Sequence, residues 1–249
     1  MKARCILPAG LLVLAGCALS GSPEAVLTPS PTPQASPSLA CSNQQDILAD
    51  ESARLPGPSV DVDGDGQRDE LFVAADPAAP AGCAAFVGAE TASGTLSVPI
   101  ADDIISFELG LPVINSAHAI DNRPGAEVVV DIAAGASAQF VGVFTVREGE
   151  LVRVEIEGQP SPAGGLISYG GSVGHLAAVD CAGPARVVLS NARPRGRSYL
   201  ITRRFYDAQK AVWLLERGAG TRLQVPFRRI GSFPEFSAGP FYGCAPSEG

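Results

Sequence analysis

Histidine is almost missing from this 249-residue chain, which has only His118 and His175. A zinc centre of the ordinary kind lacks ligands on such a supply, and both histidines read as strand-end residues ahead of a recurring aspartate turn. Tryptophan occurs once, as Trp213 inside a β run. A groove of clustered aromatics for glycan handling is therefore disfavoured, and a protein or anionic-surface partner is favoured. The N-terminal apolar run, Ile6 to Val13, falls far short of the ~20 residues that a membrane-spanning helix needs. Arginine is plentiful, yet no nucleic-acid recognition motif accompanies it, which argues against nucleic acid as a partner.

Lys2 and Arg4 precede that apolar run and Leu14-Ala15-Gly16-Cys17 ends it. A basic start, a short apolar middle and small residues before a cut describe a secretory signal. The Leu-Ala-Gly-Cys ending resembles the lipobox of bacterial lipoproteins. The resemblance implies acylation of Cys17, which becomes the first residue, and several acyl chains suffice for stable anchoring. The expected location is extracytoplasmic, anchored to the membrane by lipidated Cys17. Residues 18–40 carry Pro23, Pro29, Pro31, Pro33 and Pro37 among Ser, Thr and Ala. Such a segment buries no core and reads as an extended tether reaching ~70 Å at about 3.1 Å per residue.

Residues 41–249 then form one body large enough for a single core. With 28 glycines, 21 prolines and many Val-rich runs, the composition favours short strands and frequent turns. Cys41, Cys83, Cys181 and Cys244 remain after Cys5 and Cys17 are set aside. In an exported domain they suggest two disulfides, for which three pairings exist. The expected pairing is Cys41–Cys83 with Cys181–Cys244, each tying one end of the domain to its body. Charge is segregated: residues 18–180 hold 22 acids against five bases, whereas residues 185–230 hold 11 bases against two acids. Either acidic and basic repeats complement each other, or a basic face meets an anionic envelope partner such as lipid headgroups or a wall polymer.

Ser42-Asn43-Gln44-Gln45 has capping-box spacing, so a short helix is expected from Asn43 to about Arg54, stopped by Pro56 and Gly57. Beyond it the chain repeats. Asp63, Asp121 and Asp180 each open a Gly- or Pro-containing turn, lie 58 and then 59 residues apart, and are followed by a β run. Further β runs recur at Ala84 to Ala89, Ala138 to Arg147 and Ser198 to Tyr206. A last set follows at Thr95 to Ile100, Leu151 to Ile156 and Ala211 to Glu216, after hairpins at Ser93-Gly94 and Gly149. The alternation in 138–147 predicts a strand buried on both faces. The repeats span about 61–118, 119–177 and 178–230. The expected fold is all-β, with three propeller-blade-like repeats forming a partial or small β-propeller.

One segment carries chemistry. Asp61, Asp63, Asp65 and Asp69 stand at positions 1, 3, 5 and 9 of a loop, with Gly66 at the turn and the Gln67 carbonyl at position 7. Hard oxygens at this alternation can wrap one Ca²⁺. Position 12 is Phe72 and a strand follows, which excludes an EF-hand. The pattern Asp-x-Asp-Gly-Asp-Gly-x-x-Asp before an apolar strand resembles the FG-GAP or VCBS-type repeat. That likeness implies propeller blades with a mostly structural calcium and exposed recognition loops. Arg123 and Ala182 replace the middle carboxylate in the later copies, so one calcium site is expected.

Gly170-Gly171-Ser172-Val173-Gly174 matches the Gly-x-Ser-x-Gly elbow of α/β-hydrolases. No histidine follows His175, however, so a later base is missing, and the segment reads as a flexible inter-repeat loop. No catalytic residue is assigned. The chain reads as a lipid-anchored binding or scaffold protein of the cell envelope, with an anionic polymer or a protein as partner. The alternative is an accessory subunit or divergent hydrolase acting on an envelope polymer.

Overall fold

A computed structural model describes residues 41–101, 103–158, 165–209 and 211–246. The signal segment, Cys17 and the tether lie outside the described residues. Strands account for 53% and helices for 11%, so the protein is all-β. Among the described residues, no helix is long and apolar enough to cross a membrane.

The short N-terminal helix α1 covers Gln44–Ala49 and stops earlier than its sequence suggests. Ser42 does not cap it. Asn43 is the N-cap without a side-chain cap bond. The Asn43 amide donates instead to the Cys83 carbonyl at 3.3 Å, and the Gln44 amide to Ser97 Oγ at 2.9 Å. These bonds draw α1 onto the first sheet, where Ile47 packs with Phe72 and Phe86. Strand β1 (Arg54–Val60) follows after one short turn, so Pro56 and Gly57 lie inside a strand. It tolerates them because it is an edge strand, where a proline lacking an N–H removes no ladder bond. Gly57 also lets Ile114 approach: a Cβ there would lie 2.5 Å from Ile114 Cδ1.

β1, β2 (Asp69–Ala75), β3 (Ala85–Thr91) and β4 (Gly94–Pro99) form a four-stranded antiparallel meander in chain order. A second meander contains β5 (Val113–Ala119), β6 (Glu127–Ala134), β7 (Ala138–Arg147) and β8 (Glu150–Arg153), continued by β9 (Glu155–Ile156). The third region holds β10 (Ile167–Ser172), β11 (His175–Gly183), β12 (Arg186–Arg195) and β13 (Ser198–Asp207). It ends with β14 (Val212–Leu215), β15 (Thr221–Pro226) and the C-terminal β16 (Ala245–Pro246). The β7–β8 hairpin turns on Glu148 and Gly149, both at positive φ, as a tight hairpin requires.

Each of the first two Asp turns lies between the first two strands of its meander. The structural unit thus begins with the strand before the turn, ahead of the repeat boundaries read from sequence. The third copy differs: Asp180 sits within β11 opposite Val188, and the chain reverses at Gly183 to Ala185. Only the first meander stands as a sheet of its own. The other two share a twelve-stranded sheet. The seam is β10, expected to be a loop, which pairs with the first half of β7 and with β11. The run 150–156 pairs antiparallel with β7 and then parallel with β14, through Val212 opposite Glu155 and Trp213 opposite Ile156. The hydrogen-bonded path leads from β7 through β10 to β14 and ends at β9, which the chain joins directly to β8 beside β7.

Two main cores result. Val128, Val130, Ile132 and Phe144 face Leu71, Val73 and Val87 of the first sheet. From the other side of the same strands, Val129, Val141 and Val143 pack with Val179, Leu189, Tyr206 and Trp213. Strand β7 is thus buried on both faces, as its alternation predicts. Cys41–Cys83 and Cys181–Cys244 are the two disulfides, with Cα–Cα distances of 5.5 and 5.0 Å. The first holds the chain before α1 to the β2–β3 loop, and the second holds the C-terminal segment to β11.

Candidate metal centre

The loop from Asp61 to Asp69 joins β1 to β2, and Gly64 (φ +81) and Gly66 (φ +84) supply its left-handed turns. Asp61 accepts the N–H groups of Gly64 at 2.7 Å and Gly66 at 2.9 Å. Asp63 accepts from Asp65 N–H at 3.1 Å. Asp65 accepts from Gln67 through its backbone N–H at 2.7 Å and its side-chain amide at 3.1 Å. Such side-chain-to-backbone turns hold the carboxylates in place. Oxygens of Asp61, Asp63 and Asp65 all lie within 4.8 Å of one another. Three anions at that spacing repel unless a cation lies among them, so this group could hold a metal ion.

Asp69 does not belong to that trio and is only 1% exposed. Its Oδ2 accepts Val62 N–H at 2.8 Å, while Oδ1 has no hydrogen-bond partner among the described residues. Burial holds this carboxyl above its usual range against the pull of Val62 N–H, and the charges of Asp63, Asp61 and Asp65 push the same way. The donor set is all oxygen, with an unsatisfied buried carboxylate beside it.

The second turn solves the same problem differently. Glu127 takes the place of Asp69 and accepts Ile120 N–H at 2.7 Å, as Asp69 accepts Val62 N–H. Asp121 and Glu127 are 4% and 2% exposed. Arg147, from β7, pairs through Nη2 with Asp121 and lies 3.8 Å from Glu127 Oε1. Burial foremost, with the Asp121 charge, pushes Glu127 up to about 7. Sequence reasoning missed Arg147, because no local pattern ties it to a turn so far upstream; only the β6–β7 pairing brings them together.

The two turns brace each other. Ala126 N–H donates to the Asp61 carbonyl at 2.9 Å. A Cβ on Gly125 would lie 2.6 Å from the Val62 carbonyl oxygen, and one on Gly64 would lie 2.8 Å from Pro124. Asp61, Arg123 and Pro124 line a cleft of about 350 Å³ beside Ala245 and Pro246. In the third copy Asp180 accepts Gly243 N–H at 2.7 Å and so fastens the C-terminal segment, while Arg186 grips Glu216 through Nε at 2.8 Å and Nη2 at 2.7 Å.

The remaining sequence candidates do not converge. Ser172 sits at a strand–turn–strand hairpin and accepts Gly174 N–H at 3.4 Å, rather than topping a strand–turn–helix elbow. His175 Nε2 lies 3.1 Å from Asn191 Oδ1. His118, on β5, stacks loosely on Phe241 with ring centroids 6.2 Å apart, and its burial pushes its pKa down.

The fold and site define a disulfide-bridged all-β protein with one Asp-rich loop able to hold a metal ion. Compared with known proteins, the chain matches no family model, no curated sequence and no solved structure.

Proposed function

We propose that this is a lipid-anchored, extracytoplasmic binding or scaffold protein of the cell envelope, stiffened by one calcium ion in the loop 61–69. The observation that carries the reading is the position of that loop. It rests on the second turn through Ala126 N–H, Gly125 and Pro124, so an ion there would lock the first meander to the second. Asp61, Asp63 and Asp65 would hold the ion, with Asp69 completing the charge. A cation in this place supplies rigidity to a surface built for contact, in keeping with the FG-GAP or VCBS likeness of the loop. Two disulfides support an extracytoplasmic setting, and the Cys17 lipobox supports anchoring.

Thermal unfolding of the full chain with and without Ca²⁺ tests the proposal. Calcium at about a hundred times its dissociation constant stabilises by about 2.7 kcal/mol, which raises the midpoint by roughly 5–10 °C in a domain of this size. Asp63→Ala and Asp65→Ala abolish the rise. An unchanged midpoint in the parent protein leaves an acidic turn and removes the calcium.

A further inference from the structure

The face of β12, β13 and β15 that looks away from the C-terminal segment is open. Its other face is covered: Tyr199, Ile201 and Val225 pack against Ile230, Phe233 and Phe236. On the open face, Arg193 stands opposite Leu200, Asn191 opposite Thr202, and Thr202 opposite Arg222. Arg204 lies two residues beyond Thr202 and so projects to the same side. These residues line a cleft of about 1020 Å³.

Among the described arginines some are paired, whereas those of the cleft, like the exposed Arg195, Arg197, Arg228 and Arg229, are not; what sets the cleft arginines apart is that they converge on one concave face. Arg54 pairs with Glu90, Arg147 with Asp121 and Arg186 with Glu216, and Arg203, which also borders the cleft, is tied to Glu235. Arg193, Arg204 and Arg222 make no ion pair with any described residue, and no carboxylate lines the cleft. Asn191 Oδ1 is taken up by His175, which leaves its NH₂ as the group on offer. Ser168 adds a hydroxyl. The lining is thus dominated by hydrogen-bond donors and positive charge, and it contains no aromatic ring.

A donor-rich cationic cleft calls for a ligand made of acceptors. Phosphate groups linked in a chain present acceptor oxygens only, and the guanidinium fork matches them. A sugar chain brings hydroxyl donors that need acceptors and rings that favour aromatic platforms; a nucleic-acid strand needs stacking partners. A flat bilayer surface does not enter a concave site, and the volume is far larger than one phosphate. Resting on the binding role proposed above, we infer that this cleft takes a linear phosphate polymer, gripped by Arg193, Arg204 and Arg222.

The test uses the full chain bearing Cys17→Ala, so that no acyl anchor contributes. The probes are long-chain inorganic polyphosphate, orthophosphate, and phosphatidylglycerol vesicles, each at low and high salt. Polyphosphate binds at low salt and weakens as salt rises. Each of Arg193→Gln, Arg204→Gln and Arg222→Gln weakens binding about tenfold. The charge-matched triple Arg197→Gln, Arg228→Gln and Arg229→Gln retains most of it, orthophosphate competes poorly and vesicles do not compete. The triple that combines Arg193→Gln, Arg204→Gln and Arg222→Gln abolishes binding, and an unchanged thermal midpoint in both triples shows that folding is intact. Absent polyphosphate binding, equal losses in the two triples, or vesicle binding through the three cleft arginines each overturns the inference. The calcium response, read on the same preparations, reports separately on the function proposed above.

Discussion

Arg147 pairs with Asp121 across 26 residues of chain and sets a guanidinium among the buried carboxylates of the second turn. The first turn, with Asp61, Asp63 and Asp65 gathered in the same kind of place, has no such internal cation among the described residues. One turn draws its positive charge from its own chain, and the other could hold a metal ion instead. This difference adds to the loss of the middle carboxylate at Arg123 and Ala182, which underlies the expectation of one ion.

Removing the internal cation should be costly. Arg147→Ala removes the cation nearest Glu127 and leaves buried Asp121 with only the longer contact to Arg123 at 4.0 Å, and breaking a pair of this type costs about 3 kcal/mol. Urea unfolding measures it directly. A loss within about 0.5 kcal/mol would mean the pair acts as an ordinary surface contact.

Glu127 should make stability depend on pH. Its folded value of about 7 lies above the ordinary 4.5. Between those values the folded protein keeps a proton that the unfolded chain releases. Stability contributed by this group is therefore fully present below about 4.5 and is lost as pH rises towards about 7. Glu127→Gln keeps the shape and removes the titration, so its stability profile should be flatter across that window. Denaturation midpoints collected over the window decide the matter, and parallel profiles for parent and variant would refute the assignment.

If Cys17 is acylated as proposed, Cys17→Ala should release the protein from the membrane fraction into the soluble exported fraction, since the attachment is then supplied by acyl chains rather than by the folded domain. Fractionation of cells expressing each form gives the answer. Continued membrane association of the variant would count against lipidation.

Much of the local architecture was legible in the residues. Alternation placed β7 at its full length, and the carboxylate spacing around Gly64 and Gly66 marked the loop, because period-2 burial and left-handed turns leave a direct signature. Helix α1 was legible only in part, since the amides of Asn43 and Gln44 are spent on tertiary partners at Cys83 and Ser97 rather than on a cap. The Gly170-Gly171 segment was misread because glycines signal a loop. Here they permit a strand to run close against the chain at His175, where a Cβ on Gly171 would lie 2.1 Å from its carbonyl.

By itself the sequence determined the β character and the set of carboxylates in the first loop, which depend on residue type and near spacing; it left three pairings open for the four cysteines, and the fold selects Cys41–Cys83 with Cys181–Cys244. Only the tertiary structure decided that the second and third units fuse through β10, that Arg147 serves the second turn, and that three unpaired arginines share one concave face. Strand pairing joins residues distant in the chain, and burial then determines which charges must find a partner and which stay open to solvent.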